Sequence, residues 1–309
     1  MGTTNPARVS ASQFSGTNQY TNLVPESWVK ELLRHFDANF VFKQCVNFKY
    51  EKAIKGKNDT IHIRKVGTPS IKAYERNQAI TAESMTSEKI TFTIDQQKYW
   101  NLQIDDLDVA DMDIDILNEC VKRAGVALAE TVDIYIESLM LAGADTDNAM
   151  GTPTVPLDLD PSNLYATLVE FGVLLAKTKT LPQGANPFII APTELVGLIR
   201  LTPEAKDKST SLGDKVVRSG DSLGTFAGFD IIESRRIAAD TNGVFTIVAG
   251  TSKEACTFAM KVAKLDRVDL GPGGYFAQSV RALYFYGGKV IYSEMLGILT
   301  CTIAYTTGT

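Results

Sequence analysis

The chain has 309 residues, enough to bury roughly three quarters of its unfolded surface in a real core. Its 31 basic and 36 acidic residues leave a formal charge of −5, which argues against a dedicated nucleic-acid binder. Cys45, Cys120, Cys256 and Cys301 stand far apart with no CxxC pair, the usage of a reducing cytosol. Residues 1–19 lack the basic segment and apolar run of a secretory signal, and no window approaches ~18 consecutive apolar residues. A soluble, cytosolic protein with no membrane contact is expected.

Residues 1–22 are rich in Ser, Thr, Asn and Gly and are expected to be extended or mobile. An amphipathic helix follows, with Pro25 in its first turn and Trp28, Leu32 and Leu33 on one face. Residues 60–64 and 90–95 alternate apolar and polar and read as strands. The connection between them is long and polar, carrying Lys72, Tyr74, Glu75, Arg76, Glu83 and Lys89. Two strands so joined make an extended β-arm that projects on the order of 60 Å. An isolated two-stranded ribbon is marginal in water, so it needs a surface, and a neighbouring subunit is the natural one.

An acidic run then leads into a long helical pattern over 111–140, ~45 Å of helix whose carboxylates complement its N-terminal end. Gly143 is its expected stop. The second half reads as α/β. Asp160-Pro161 opens a helix with Leu164, Leu168, Phe171 and Leu175 on one face. Residues 187–191 read as a buried strand and 193–200 as a short helix. Residues 203–219 are polar with mixed charge, including Lys206, Asp207 and Arg218, and fit either a solvated loop or an intersubunit contact. Gly220, Gly224 and Gly228 stand four apart before a short apolar strand at 229–232, where glycine allows positive φ and close approach. Strands follow at 244–249 and 256–260. Gly287-Gly288, between β-rich runs, predicts a two-residue hairpin turn, with a last strand from Met295.

Catalytic equipment is sparse. The two histidines, His35 and His62, fall on the first helix and the β-arm, poor places for a preorganised site. Gly271-Pro-Gly-Gly274 lacks the Lys-Ser/Thr pair of a phosphate loop. The six Asp of 105–115 have no accompanying His or Glu cluster and read as helix-terminus complement rather than a metal site. Asp145, Asp147 and Asn148 open like a calcium loop, but Pro156 stands where a bidentate Glu is required. No catalytic residue, cofactor or metal ligand is assigned.

The glycine-spaced run 220–234 resembles the glycine-turned strand of major capsid proteins of tailed phages, in the HK97-fold branch near the P22-type coat protein. The Pro-Trp-Leu-Leu helix, the segment 47–51, the polar β-arm, the long helix and the closing strands follow that family's order over nearly the whole chain. The resemblance implies an α+β, HK97-like capsid fold. Its parts would be an N-terminal arm (1–48), an E-loop (49–104), a P-domain with spine helix (105–157 and 267–309) and an A-domain (158–266). It implies no enzyme, but an icosahedral shell of hexamers and pentamers enclosing phage DNA without sequence-specific binding. A scaffolding protein, a portal and a decoration protein would be the further partners, with assembly in the host cytoplasm. Residues 65–90 are the expected intersubunit clamp, with Trp28, Lys72, Tyr74, Glu75, Arg76, Glu83, Lys89, Lys206, Asp207 and Arg218 as contact candidates. Gly220, Gly224, Gly228, Gly287 and Gly288 are the expected structural turns.

Against the family's pattern, the chain is expected to be too short for the inserted domain of P22-type relatives and to be without the scaffolding-like N-terminal extension that some relatives cleave. Two other readings stay open at this point. One is an encapsulin-like nanocompartment shell; the other is an α/β enzyme with an unrecognised site.

Overall fold

The computed structural model describes residues 23–53, 59–66, 69–74, 76, 79, 82–84, 87–105, 116–177, 187–203, 224–269 and 277–304. Helix α1 (Leu23–Asn39) is followed by a 3-10 turn at Val41–Gln44. Strands β1 (Thr60–Val66) and β2 (Ser87–Thr93) form a two-stranded antiparallel ribbon. Strand β3 (Gln96–Asp105) leads toward the long helix α2 (Ile116–Gly143). Two short strands, β4 (Ala149–Met150) and β5 (Leu157–Leu159), precede α3 (Leu164–Lys177). Then come β6 (Phe188–Pro192), α4 (Thr193–Leu201), β7 (Thr225–Phe226), β8 (Phe229–Ser234) and β9 (Val244–Gly250). Strands β10 (Cys256–Asp269), β11 (Ala277–Val290) and β12 (Leu296–Ile303) close the chain.

Two larger sheets organise these elements. One has three strands in the order β10-β11-β3; the other has seven, along β4-β12-β9-β6-β8-β7, with β5 beside β12. Every residue of β6 is buried, as its central place and unbroken apolar sequence require. Leu164, Leu168, Phe171 and Leu175 are the buried stripe of α3, at the spacing the sequence shows. Helix α2 buries Val121, Gly125, Leu128, Val132, Ile136 and Met140, again at three- and four-residue intervals. Aromatic contacts tie α1 to the three-stranded sheet and the sheet to α2. Phe40 lies 5.9 Å from Phe258, Phe258 lies 6.2 Å from Tyr286, and Tyr286 lies 5.1 Å from Tyr135.

Three sequence expectations are corrected. Gly287 and Gly288 form no hairpin; both lie inside the continuous strand β11, paired with Ala259 and Phe258. They are glycines because two other elements press on them. A Cβ at Gly287 would stand 2.7 Å from the Thr93 carbonyl oxygen, and one at Gly288 would stand 2.5 Å from Leu139 Cδ2. The Gly288 N–H also donates to Tyr135 Oη at 3.2 Å, fixing α2 against the strand. The two-residue turn the sequence placed there occurs instead at Ala227–Gly228, where both residues have positive φ (50° and 87°) between β7 and β8. Second, β3 is a strand that apolar alternation did not announce, and it pairs with β11 along its whole length. Third, the expected five-residue strand at 256–260 runs on to Asp269. The described part of α2 begins at Ile116 rather than 111. The preceding acidic residues 106–115 and the glycine-rich segment 271–274 lie outside the described residues.

Candidate assembly surfaces

The ribbon β1–β2 has two unlike faces. Ile61 and Ile63 stand opposite Phe92 and Ile90 on one face. There Ile63 and Phe92 are buried with Ile94, Ala259, Phe285 and Ile291 in a small cluster separate from the main core. Gly287 allows this base to lie close on β11. Lys65 reinforces it, with Nζ 3.7 Å from Glu294 and 5.0 Å from the centre of the Tyr292 ring. The other face presents His62, Arg64, Lys89 and Thr91, all exposed.

Beyond this base the ribbon makes little use of its own chain. Each described residue from 69 to 84 is exposed, with Ile71 at 100% and Tyr74 at 71%. The Ser70 N–H donates to Glu83 Oε2 at 3.2 Å, and the Ser70 hydroxyl donates to the same oxygen, linking the two legs of the connection beyond the paired strands, where the described residues are irregular rather than the continued β-ribbon that the sequence suggested. Lys72, Tyr74, Arg76, Glu83 and Lys89 are thereby brought onto one arm. Glu75 lies outside the described residues, as do Lys206, Asp207, Arg218 and Gly220. Trp28 lies within α1, but its side chain is outside the described set.

A junction that the sequence analysis did not single out joins the N-terminal helix to the rest. Asp133, fully buried on α2, accepts the Phe42 N–H at 3.2 Å and the Val41 N–H at 3.4 Å. Arg236, from the turn after β8, sits 2.9 Å from Glu130 and 3.9 Å from Asp133. Burial pushes the Asp133 carboxyl up to about 6, against the pull of the two N–H donors and Arg236. Helix α1 crosses α2 where Gly125 faces the Leu32 carbonyl oxygen. The only sequence clue was a lone Asp at a core position of α2.

Two more surfaces remain uncovered in the single chain. The outer face of the three-stranded sheet exposes Tyr99 (77%) and Leu283 beside Lys264, Asp266 and Arg281. There Asp266 accepts from Lys264 at 2.6 Å and lies 3.5 Å from Arg281, and the Lys264 hydrogen bond, with Arg281 behind it, holds its carboxyl below the usual range. On α3, Tyr165, Val169 and Val173 form an exposed stripe at four-residue spacing.

His35 shares Glu31 with Arg34 on α1, at 3.1 Å and 2.8 Å. Among the described residues no group of three or more His, Cys, Asp or Glu is placed to hold a metal ion. No described helix is long and apolar enough to cross a membrane. All four cysteines are free, and burial pushes the Cys256 and Cys301 thiols up to about 12, keeping them as inert apolar groups.

The backbone is similar to chains of solved phage structures. One from Mycobacterium phage Che8 has a TM-score of 0.66 at 20% identity, covering 84% of this chain and 90% of that one. A chain from the asymmetric unit of the bacteriophage PhiM1 mature capsid has a TM-score of 0.60 at 14% identity, covering 87% of each. A chain from the capsid of Ralstonia phage GP4 has a TM-score of 0.61 at 10% identity, covering 89% and 92%. At such identities the likeness speaks for the fold, the HK97-like fold that the sequence resembles. No curated protein sequence matches the chain. The model of the family described as phage capsid protein matches residues 90–291, well over half of the length. The chain therefore belongs to the phage capsid protein family, as a structural, shell-forming protein.

Proposed function

We propose that this chain closes an icosahedral shell around double-stranded DNA through hexamers and pentamers, with the β1–β2 ribbon as an E-loop clamped over a neighbouring subunit. One observation carries the clamp: the ribbon's base is packed on its own β11, while every described residue between 69 and 84 is exposed. A projecting ribbon of this kind is unstable without a partner surface. The N-terminal arm, 1–48, is the second clamp. The A-domain carries the seven-stranded sheet, and the P-domain carries α2 and the three-stranded sheet. Because β12 pairs with β9 and β10 pairs with β11, the division is drawn by sheet rather than by the expected boundary at 266/267. Each contact contributes only a few kcal/mol, but closed symmetric assembly multiplies them. Scaffolding, portal and decoration proteins are the further partners, and assembly takes place in the host cytoplasm.

Limited proteolysis tests the clamp. Residues 65–90 should be cut quickly in free subunits and resist in shells. Equal cutting in both would remove the ribbon from the interface.

A further inference from the structure

We propose that the outward face of the ribbon is a receptor for the acidic segment 105–115 of a neighbouring copy. The inference rests on the reading of the ribbon as an intersubunit clamp and names what that clamp grips. Arg64 and Lys89 are direct cross-strand partners, so two cations stand side by side on the face turned away from the subunit. Like charges so placed weaken a ribbon that is already marginal. Neither forms an ion pair with any described residue, and both are exposed, with His62 two residues along on the same face. The opposite face is already spent on the subunit's own β11 through Ile63 and Phe92. An anionic surface from outside is what would relieve this face.

The occupant is argued from charge. Residues 105–115 hold six Asp and no Lys or Arg, in a chain whose net charge is only −5. That segment and the Arg64–Lys89 pair are complementary, and juxtaposing them lowers the repulsion in both. Nucleic acid fits the face less well, because polyanion binding draws on many cations in a broad patch, and this face of the paired strands supplies two directly opposed ones. A copy in trans is favoured over the same chain by the register of β3. The ribbon joins β3 at Gln96, opposite Tyr286, whereas Asp105 is opposite Ala277. Nine residues of strand put ~30 Å between those ends.

The test uses the full chain under conditions in which wild-type subunits form shells. R64E/K89E should lower the yield of sedimenting shells at least tenfold, while the thermal melt of the free subunit is unchanged, because one like-charge pair replaces another. D108K/D111K should cause the same loss, and the chain carrying all four reversals should recover shells. Because that chain could fail to fold, Lys89→Cys and Asp111→Cys are also combined in one chain. Oxidised shells of this variant should give a ladder of covalent multimers on a denaturing gel. Wild-type shell yield from R64E/K89E, no recovery in the folded fourfold variant, or a cross-link confined to single chains would each overturn the proposal. So would intact R64E/K89E shells that have lost only DNA content, which would make the face a nucleic-acid contact. Protease protection of 65–90 in the same shells separates the two levels. Normal R64E/K89E shells with a protected ribbon sink the acidic partner alone, whereas an unprotected ribbon in wild-type shells sinks the clamp itself.

Discussion

At Gly287 a methyl group would meet backbone, the Thr93 carbonyl oxygen and Ile94 Cα, neither of which can swing aside. Gly228 is constrained differently: nothing lies within 4 Å of its missing Cβ, but its φ is +87°. Gly287→Ala should therefore destabilise the free subunit by about 1–3 kcal/mol through overpacking. Gly228→Val should cost about 1–2 kcal/mol through the left-handed conformation, and Gly228→Asn much less. Denaturant titration of the three variants checks both reasons; a harmless Gly228→Val or a neutral Gly287→Ala would refute the one concerned. Sequence could show that these positions are glycine, but not which of the two reasons applied, because the clash at Gly287 comes from a strand nearly two hundred residues away. Asp133 carries a pH consequence. Its folded-state carboxyl, raised to about 6, lies above the ordinary carboxylate value, so the folded subunit holds this proton more tightly than the unfolded chain. The group's contribution therefore favours folding as pH falls from about 7 toward 4 and is lost as pH rises through about 6. Asp133→Asn should flatten that part of the stability profile, while Asp133→Ala should cost about 2–4 kcal/mol by orphaning the Val41 and Phe42 N–H groups.

The elements that announced themselves are those whose two faces differ in solvent exposure. Ile61 and Ile63 alternate with His62 and Arg64 because one face of the ribbon packs on β11 and the other does not. Leu164, Leu168, Phe171 and Leu175 show the helical period for the same reason. Strand β3 stayed hidden because it is an edge strand with Gln97, Tyr99, Asn101 and Gln103 exposed, and only part of its inner face is apolar. The ribbon's split between an anchored base and a free arm gives an element-scale prediction. Val66 and Ser87 are the last cross-strand pair, so residues 67–86 replaced by Asn-Gly should close as a short hairpin. The unfolding midpoint of that subunit should stay within about 4 °C of wild type, because the buried cluster at the base is untouched. Shell formation should be lost. A large drop in the midpoint would mean that the arm supports its own subunit.

For the molecule as a whole, the order of blocks was legible along the chain and the sheet partners were not. Local pattern cannot tell that β12 returns to lie against β9, or that β10 leaves that sheet to pair with β11. The Asp133 junction was equally out of reach, since it joins residues 41, 42, 133 and 236, which only the tertiary fold assembles. The candidate surfaces were legible in part: the arm by its polar length, the acidic run by its composition, the Tyr99–Leu283 face not at all. What unites them is a subunit whose core is complete while a long arm, an apolar sheet face and a charged ribbon face remain unmet. A density map of the purified shell tests this most directly. Residues 69–84 of each subunit should be traced onto the surface of another subunit, with Ile71 and Tyr74 covered there. An arm folded back onto its own three-stranded sheet, touching no neighbour, would contradict the account.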